Sequence, residues 1–138
     1  MKSKSDQPRY VLDSSAVIAL VRREPGWEKV NAALEHSVIS AINLTESMTK
    51  LIRQGGEPRL VERLLRALDL DVVPWDEELA WAGRDLCDLA WTHGISLADR
   101  ACLTLARHLG LAAMTADSEW KKLSHGAQVY LFREGRRK

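Results

Sequence analysis

The chain has 138 residues, of which 46% are hydrophobic, a size and composition typical of one domain with one buried core. Its 20 basic and 19 acidic residues leave a net charge of only +1, so it is not a polycation that coats nucleic acid, and any nucleic-acid contact has to come from a local patch. The N-terminus is polar and no segment approaches the ~20 apolar residues that span a bilayer, so we expect a soluble cytoplasmic protein with no signal peptide and no membrane partner.

The first half of the chain alternates strand-like and helix-like segments. "RYVLD" is a short β-branched and aromatic run, which predicts a strand, and "SAVIALVRR" after it takes up helical spacing. Pro25 and Gly26 break the chain before a helix in "WEKVNAALEH" and a second strand in "SVISA". The next helix, "NLTESMTKLIRQGG", stops at its two glycines, and Pro58 begins another in "RLVERLLRALD".

The second half continues the same alternation. A third strand, "LDVVPW", ends at Pro74, and one long amphipathic helix is predicted from about Asp76 to Gly94. "SLADRACLTLARHLG" predicts a helix closed by Gly110. "LAAMTAD" and "AQVYLF" then predict the fourth and fifth strands, with a helical turn in "SEWKKL" between them.

Strands separated by helices predict βαβ units, and therefore an α/β fold: a three-layer α/β/α sandwich with a central parallel sheet of about five strands. We expect one domain over residues 9–132, a flexible leader over residues 1–8 and a basic tail over residues 133–138. Cys87 and Cys102 lie in helix-like apolar runs without a CxxC pair, which indicates buried free thiols in a reducing compartment.

Four acidic residues share one kind of position in this predicted fold. In open parallel sheets the ligand crevice lies outside the carboxyl ends of the strands. The residues that fall there, or in the first turn of a following helix, are Asp13, Glu46, Asp99 and Asp117. Only the fold could bring them together, because they are far apart in sequence.

Helix capping is the alternative explanation for each acid taken alone. Asn43 and Glu46 are spaced as N-cap and N3 of a capping box, and Ser96 and Asp99 have the same spacing. Asp117 could cap "SEWKKL" in the same way, and Asp13 could bond the backbone of "SSA". Capping does not predict, however, that separate elements send acids to one end of a sheet.

A cluster of carboxylates predicts a bound cation. Carboxylates within ~6 Å of one another repel, and without a counter-charge at least one takes up a proton. An all-oxygen ligand set favours a hard ion such as Mg²⁺ or Mn²⁺. Such an ion acidifies water and shields charge on phosphoryl oxygens, so the reaction class that we predict is metal-dependent phosphodiester hydrolysis.

Four stretches, "YVLDSSAVIALV", "SAINLTESMTKLI", "GISLADRACLTLA" and "AAMTADSEW", resemble the four acidic motifs of PIN-domain ribonucleases in order and spacing. The closest resemblance is to VapC-type toxins of toxin–antitoxin pairs, and it covers residues 9 to about 132. The departures are small: the leader, and Ser47 where an aliphatic residue often follows the glutamate.

The resemblance implies an endoribonuclease that depends on Mg²⁺ or Mn²⁺ and hydrolyses RNA. It implies that the catalytic and metal-binding residues are Asp13, Glu46, Asp99 and Asp117. Asp13 and Asp99 are then the direct ligands, with Thr115 as a supporting hydroxyl group, and we expect Ser14 to support the site as well. It further implies a homodimer and neutralisation by a cognate VapB-like antitoxin.

Basic residues near the acids are candidates for RNA contacts. Lys50 and Arg53 lie four and seven residues after Glu46, on roughly one helical face, and Arg100 follows Asp99. Our hypothesis is that these three basic residues help to bind RNA; the alternative is that they are solvated surface charges.

Aromatic and histidine side chains give weaker signals. Most of the five tryptophans are expected in the core or a dimer contact, and Trp120, close behind Asp117, is the candidate for a substrate contact. The four histidines are scattered without metal-site spacing, so no metal or general-base role is predicted for them.

Other functions remain open at this point. A strand that ends in Asp also begins haloacid dehalogenase-like phosphatases, but Ser15 stands where their second Asp is expected. A receiver domain would need an adjacent acid pair that is missing. A PIN-domain processing nuclease without an antitoxin, or a PIN-like scaffold that binds RNA or protein without cutting, are the remaining alternatives.

Overall fold

The computed structural model describes residues 7–134, in which the chain forms five strands and seven α-helices. The strands are β1 (Tyr10–Leu12), β2 (Ser37–Ser40), β3 (Val72–Val73), β4 (Ala112–Thr115) and β5 (Gln128–Leu131). The helices are α1 (Ser14–Arg22), α2 (Trp27–Ala33), α3 (Ala41–Arg53), α4 (Pro58–Ala67), α5 (Glu77–Ala82), α6 (Leu89–Thr92) and α7 (Leu97–Leu109). Most of the predicted leader and tail, residues 1–6 and 135–138, lies outside the described residues.

The strands form one sheet in the order β3-β2-β1-β4-β5, and every neighbouring pair is parallel. β1 lies at the centre, where Val11 is in register with Val38 of β2 on one side and with Ala113 of β4 on the other. The chain therefore leaves β1 in one direction for β2 and β3 and later returns to the opposite side for β4 and β5. Such a reversal of strand order opens a crevice at the carboxyl ends of the strands.

Two apolar cores cover the two faces of the sheet. Successive strand residues point to opposite faces, so Leu12 packs with residues of α1–α4 whereas Val11 packs with residues of α5–α7. Ile39 and Met114 belong to the first core in the same way. This arrangement confirms the predicted three-layer α/β/α sandwich with a parallel sheet of five strands. Within residues 7–134 no helix is long and apolar enough to cross a membrane.

The single helix predicted from Asp76 to Gly94 is wrong. The segment contains α5, a 3₁₀ turn at Arg84–Leu86 and the short α6. The cause lies on the neighbouring α7, where the Arg107 guanidinium group donates to the Ala82 carbonyl group at 2.7 Å and pairs with both carboxylate oxygens of Asp85 at 2.8 Å. Arg107 thereby binds a carbonyl group at the end of α5 and stabilises the following turn, so that α5 does not continue into α6.

The interrupted segment also corrects one cysteine prediction. Cys87 is exposed, whereas Cys102 is buried on α7 as predicted. Gly110, in the left-handed region at φ 68°, ends α7 as predicted.

Candidate active site

Three of the four predicted acids meet at the carboxyl edge of the sheet. Asp13 directly follows β1, Glu46 lies on α3 after β2, and Asp99 lies in the first turn of α7. One carboxylate oxygen from each of these residues lies within 4.8 Å of the other two. We call these three residues the acidic cluster; the fold brings them together from three separate elements.

The two carboxylate oxygens of Asp13 have different surroundings. Asp13 is 4% exposed, and its Oδ2 accepts hydrogen bonds from Ser15 Oγ at 2.8 Å and Thr115 Oγ1 at 2.9 Å. Its Oδ1 is buried and has no hydrogen-bond partner among residues 7–134. A buried carboxylate oxygen without a donor is energetically costly, so Oδ1 is well suited to bind a cation. Burial raises the pKa of Asp13, the Ser15 and Thr115 hydroxyl groups oppose this shift, and the charge of Glu46 adds to it.

Glu46 is held by neighbours on two helices. Its Oε1 accepts a hydrogen bond from the Ser14 hydroxyl group at the start of α1. Lys50, one turn further along α3, places its Nζ 3.8 Å from the same oxygen and 3.4 Å from Ser14 Oγ. The structure thus brings the predicted supporting residue Ser14 and the predicted basic residue Lys50 against the acidic cluster.

Asp99 carries the clearest electrostatic strain in the cluster. Its backbone N–H donates to the Ser96 side chain at 3.1 Å, which confirms Ser96 as the N-cap of α7. Burial, and then the negative charges of Asp13 and Glu46, raise the pKa of Asp99 to about 6. A cation bound beside this carboxyl group would lower its pKa.

Thr115 and Asp117 continue this edge of the site at the end of β4. Thr115 Oγ1 donates to Asp13 and accepts from the Asp117 backbone N–H at 3.1 Å. The Asp117 carboxylate accepts from the Glu119 backbone N–H at 2.9 Å and so caps a 3₁₀ turn at Ser118–Lys122. The structure does not place Asp117 in the acidic cluster; its link to Asp13 runs through Thr115.

Two residues of the site were missed by sequence reasoning. Ser15 Oγ donates to Asp13 and accepts from the Ala116 backbone N–H at 3.1 Å, so it ties the start of α1 to the end of β4. Asn43 is fully buried inside α3, and its side-chain N–H donates to the Ala98 carbonyl group at 3.0 Å. Asn43 therefore joins the helix that carries Glu46 to the helix that carries Asp99.

The alternative explanation of Asn43 as a helix N-cap is accordingly wrong. The N-cap of α3 is Ser40, whose side chain accepts from the Ile42 backbone N–H at 3.1 Å. The useful signal was available in the sequence, since a polar Asn three residues before Glu46 lies on the same helical face.

The remaining basic candidates lie on the helices that carry Glu46 and Asp99. Arg53 is exposed on α3, one turn beyond Lys50. Arg100 is half-buried beside Asp99, and its Nε has no hydrogen-bond partner among the described residues.

The tryptophan hypothesis is wrong for Trp120, which is completely buried in the core against α7. The exposed tryptophans are instead Trp81 and Trp91, with 65% and 76% of their surface accessible. His125 has a structural role: its Nδ1 accepts from the Ala127 backbone N–H, so its Nε2–H donates to the Trp120 carbonyl group.

Comparison with known proteins identifies the family. Residues 10–126 match the family model described as PIN domain. The chain belongs to the PIN-domain family. This confirms the resemblance seen in the sequence motifs. A comparison with curated protein sequences found no match.

Solved structures of VapBC-type proteins share the fold. VapBC2 from Rickettsia felis, bound to a DNA fragment from its promoter, aligns with a TM-score of 0.70 and 14% identity over 88% of this chain and 97% of that chain. FitAcB from Neisseria gonorrhoeae aligns with a TM-score of 0.66 and 24% identity over 88% of this chain and 96% of that chain. VapC20 from Mycobacterium tuberculosis, a Sarcin-Ricin loop cleaving toxin, aligns with a TM-score of 0.67 and 18% identity over 82% of this chain and 93% of that chain. At these identities the likeness shows a common fold.

Proposed function

We propose that this PIN-domain protein is a metal-dependent endoribonuclease and the toxin of a toxin–antitoxin pair. The observation that carries the proposal is the acidic cluster, in which the buried Oδ1 of Asp13 lacks a hydrogen-bond donor within the described residues. The same fold in VapC20, a Sarcin-Ricin loop cleaving toxin, supports the proposal of RNA as the substrate.

The donor set fits a hard divalent cation, Mg²⁺ or Mn²⁺. The three candidate ligand atoms of the acidic cluster are carboxylate oxygens that lie within 4.8 Å of one another. Asp13 and Asp99 are the proposed direct ligands, and Glu46 is the third carboxylate of the proposed metal-binding set. Asp117 lies outside the acidic cluster, and we propose that it contributes to catalysis through its link to Asp13 by way of Thr115. When bound, the cation lowers the pKa of water and neutralises charge on phosphoryl oxygens.

The other side chains orient this set. Ser15 and Thr115 donate hydrogen bonds to Oδ2 of Asp13, so Oδ1 is the oxygen that would hold a cation. Ser14 fixes the Glu46 carboxylate through its hydroxyl group. Held in this way, the carboxylates need little rearrangement when they bind a cation, which is what a preorganised site requires.

The RNA backbone is the proposed partner of Lys50, Arg53 and Arg100. Lys50 lies against the acidic cluster, Arg53 extends the same face of α3, and Arg100 follows Asp99 on α7. Such side chains would contact RNA phosphates and would add no base specificity.

A VapB-like antitoxin is the proposed protein partner. The support is the shared fold with VapBC2 and FitAcB. Homodimerisation stays a prediction from the family resemblance.

RNA cleavage in the presence and absence of EDTA tests the proposed activity. The wild-type chain should cut RNA with Mg²⁺ or Mn²⁺ and lose this activity in EDTA, and Asp13→Asn should be inactive. The matched control is Asp88→Asn, which removes an exposed carboxylate at the start of α6 and should cut like wild type. Cleavage that survives EDTA or Asp13→Asn would refute the mechanism, and failure to cut any RNA would favour the non-catalytic scaffold.

A second experiment separates a toxin from a processing nuclease. Expression of the active chain should stop growth, and co-expression of an antitoxin from a neighbouring reading frame should restore it. A chain that cuts RNA without affecting growth would be a processing nuclease.

A further inference from the structure

One positive charge lies inside the negative field of the acidic cluster. Among residues 7–134 the ion pair between Lys50 Nζ and Glu46 Oε1, at 3.8 Å, is the only one made by the three clustered acids. The same ammonium group donates to Ser14 Oγ on α1 at 3.4 Å. Lys50 therefore spans two of the elements that build the site.

The position of Lys50 allows its ammonium group to move away from Glu46 into solvent. Its side chain is 49% exposed, whereas that of Glu46 is 19% exposed. The long side chain reaches the cluster from the solvent side of α3, so rotation about its terminal bonds can carry the charge into water without disturbing the core.

The Lys50 ammonium group would compete with a bound cation for the carboxylate of Glu46. The ammonium group and the cation are both positively charged, and they would repel each other strongly if both lay within a few ångströms of the same carboxylate oxygen. The ion pair must therefore weaken, or break, when the divalent cation binds.

We propose that Lys50 competes with the metal ion for Glu46. As a positioning residue it forms an ion pair with Glu46 in the metal-free protein, and this ion pair lowers the affinity of the site for the cation. Displaced from Glu46, the ammonium group is available to an RNA phosphate, so that RNA binding removes the competitor and favours loading of the cation. The inference rests on the proposed function, because it assumes that the acidic cluster binds a divalent cation.

Titration of Mn²⁺ into the protein without RNA tests the proposal, by calorimetry and by the electron paramagnetic resonance signal of unbound Mn²⁺. Lys50→Gln should bind Mn²⁺ about tenfold more tightly than wild type, as expected for removing one unit charge a few ångströms from a divalent ion in a partly solvated site. Lys50→Arg, which keeps the charge, should restore the weaker wild-type affinity.

Two comparisons distinguish this effect from a general change in charge or fold. Lys29→Gln removes an exposed lysine of α2 and should leave Mn²⁺ affinity unchanged. The difference between Lys50→Gln and wild type should shrink as the salt concentration rises from about 0.05 to 0.5 M, because salt screens partly exposed charges.

The outcomes separate this proposal from the proposed function. Equal Mn²⁺ affinity of wild type and Lys50→Gln would overturn the competitor role and leave the nuclease intact. Weaker binding by Lys50→Gln would also overturn it, since Lys50 would then assist the cation. If the wild-type chain bound no Mn²⁺ and cut no RNA, the proposed function itself would fail.

Discussion

Replacing Asp99 with Asn should stabilise the metal-free protein. The pKa of Asp99 rises from its ordinary value of 3.8 to about 6 in the fold, through burial and the charges of Asp13 and Glu46. A carboxyl group with a raised folded-state pKa prefers to be protonated in the fold, so its ionised form destabilises the fold at high pH. This cost is fully present above about pH 6 and is lost as the pH falls toward 3.8.

The size of this effect follows from the pKa. A tenfold change in proton affinity corresponds to about 1.4 kcal/mol, so the cost is at most about 3 kcal/mol. Because Asp99 is partly exposed, solvent screening lowers the expected gain from Asp99→Asn to about 1–2 kcal/mol. For a domain of this size that corresponds to a rise in Tm of roughly 3–7 °C.

Thermal unfolding in EDTA, followed by circular dichroism at about pH 8 and again at pH 5, measures the effect. The advantage of Asp99→Asn should fall by about half at pH 5, where the wild-type carboxyl group is largely protonated in the fold. Asp88→Asn, at an exposed site, should change the free energy of unfolding by less than about 0.5 kcal/mol. The reasoning is refuted if Asp99→Asn is no more stable than wild type at pH 8, or if its advantage does not shrink on acidification.

Three further substitutions test contacts around the site. Thr115→Val removes a hydroxyl donor from the buried Asp13 carboxylate and should cost about 1–3 kcal/mol in urea unfolding at pH 8, whereas Thr115→Ser should cost less. Asn43→Ala removes the hydrogen bond from α3 to the start of α7 and should cost about 1–3 kcal/mol and also weaken Mn²⁺ binding; a stability loss with unchanged Mn²⁺ affinity would contradict its positioning role. Arg107→Gln frees the turn after α5 and should speed amide hydrogen exchange at residues 83–92, and unchanged exchange there would show that Arg107 does not hold the turn.

The sheet could be predicted because its strands carry a local signal. Val11 and Leu12 point to opposite faces, and each face is covered by helices, so both positions must be apolar. Short apolar runs separated by helical spacing follow from this burial. The parallel arrangement then requires crossover helices, which the sequence shows as separate amphipathic segments.

The interrupted helix could not be predicted by the same reasoning. Its apolar spacing is compatible with one continuous helix, and the group that binds the Ala82 carbonyl group is Arg107, 25 residues away. Periodicity reports which side of a segment is buried, but it does not report a long-range donor.

The candidate site shows the same division between topology and local detail. Asp13 and Asp99 could be placed together because Asp13 follows a strand and Asp99 begins a helix at the same edge of the sheet. The prediction that Glu46 lies in the first turn of its helix is wrong, because α3 begins at Ala41 and places Glu46 in the second turn, where it still joins the acidic cluster. Asp117 has an equivalent place in the sequence, yet its carboxylate caps a 3₁₀ turn and lies outside the acidic cluster. Position at the edge selects candidates, and the direction of each side chain then depends on its own hydrogen bonds.

The three clustered acids differ in how their charge is compensated. Asp13 has two hydroxyl donors on one oxygen, Glu46 has Ser14 and the ammonium group of Lys50, and Asp99 has no ion pair among the described residues. Repulsion between the carboxylates destabilises the metal-free protein, and a bound cation relieves this repulsion. The same repulsion that lowers the free energy of unfolding therefore favours cation binding. Removing the Asp99 charge should therefore stabilise the metal-free protein and weaken cation binding. Removing the Lys50 charge should have the opposite effect on both quantities, which is the pattern expected if electrostatic strain in this cluster controls its affinity for metal.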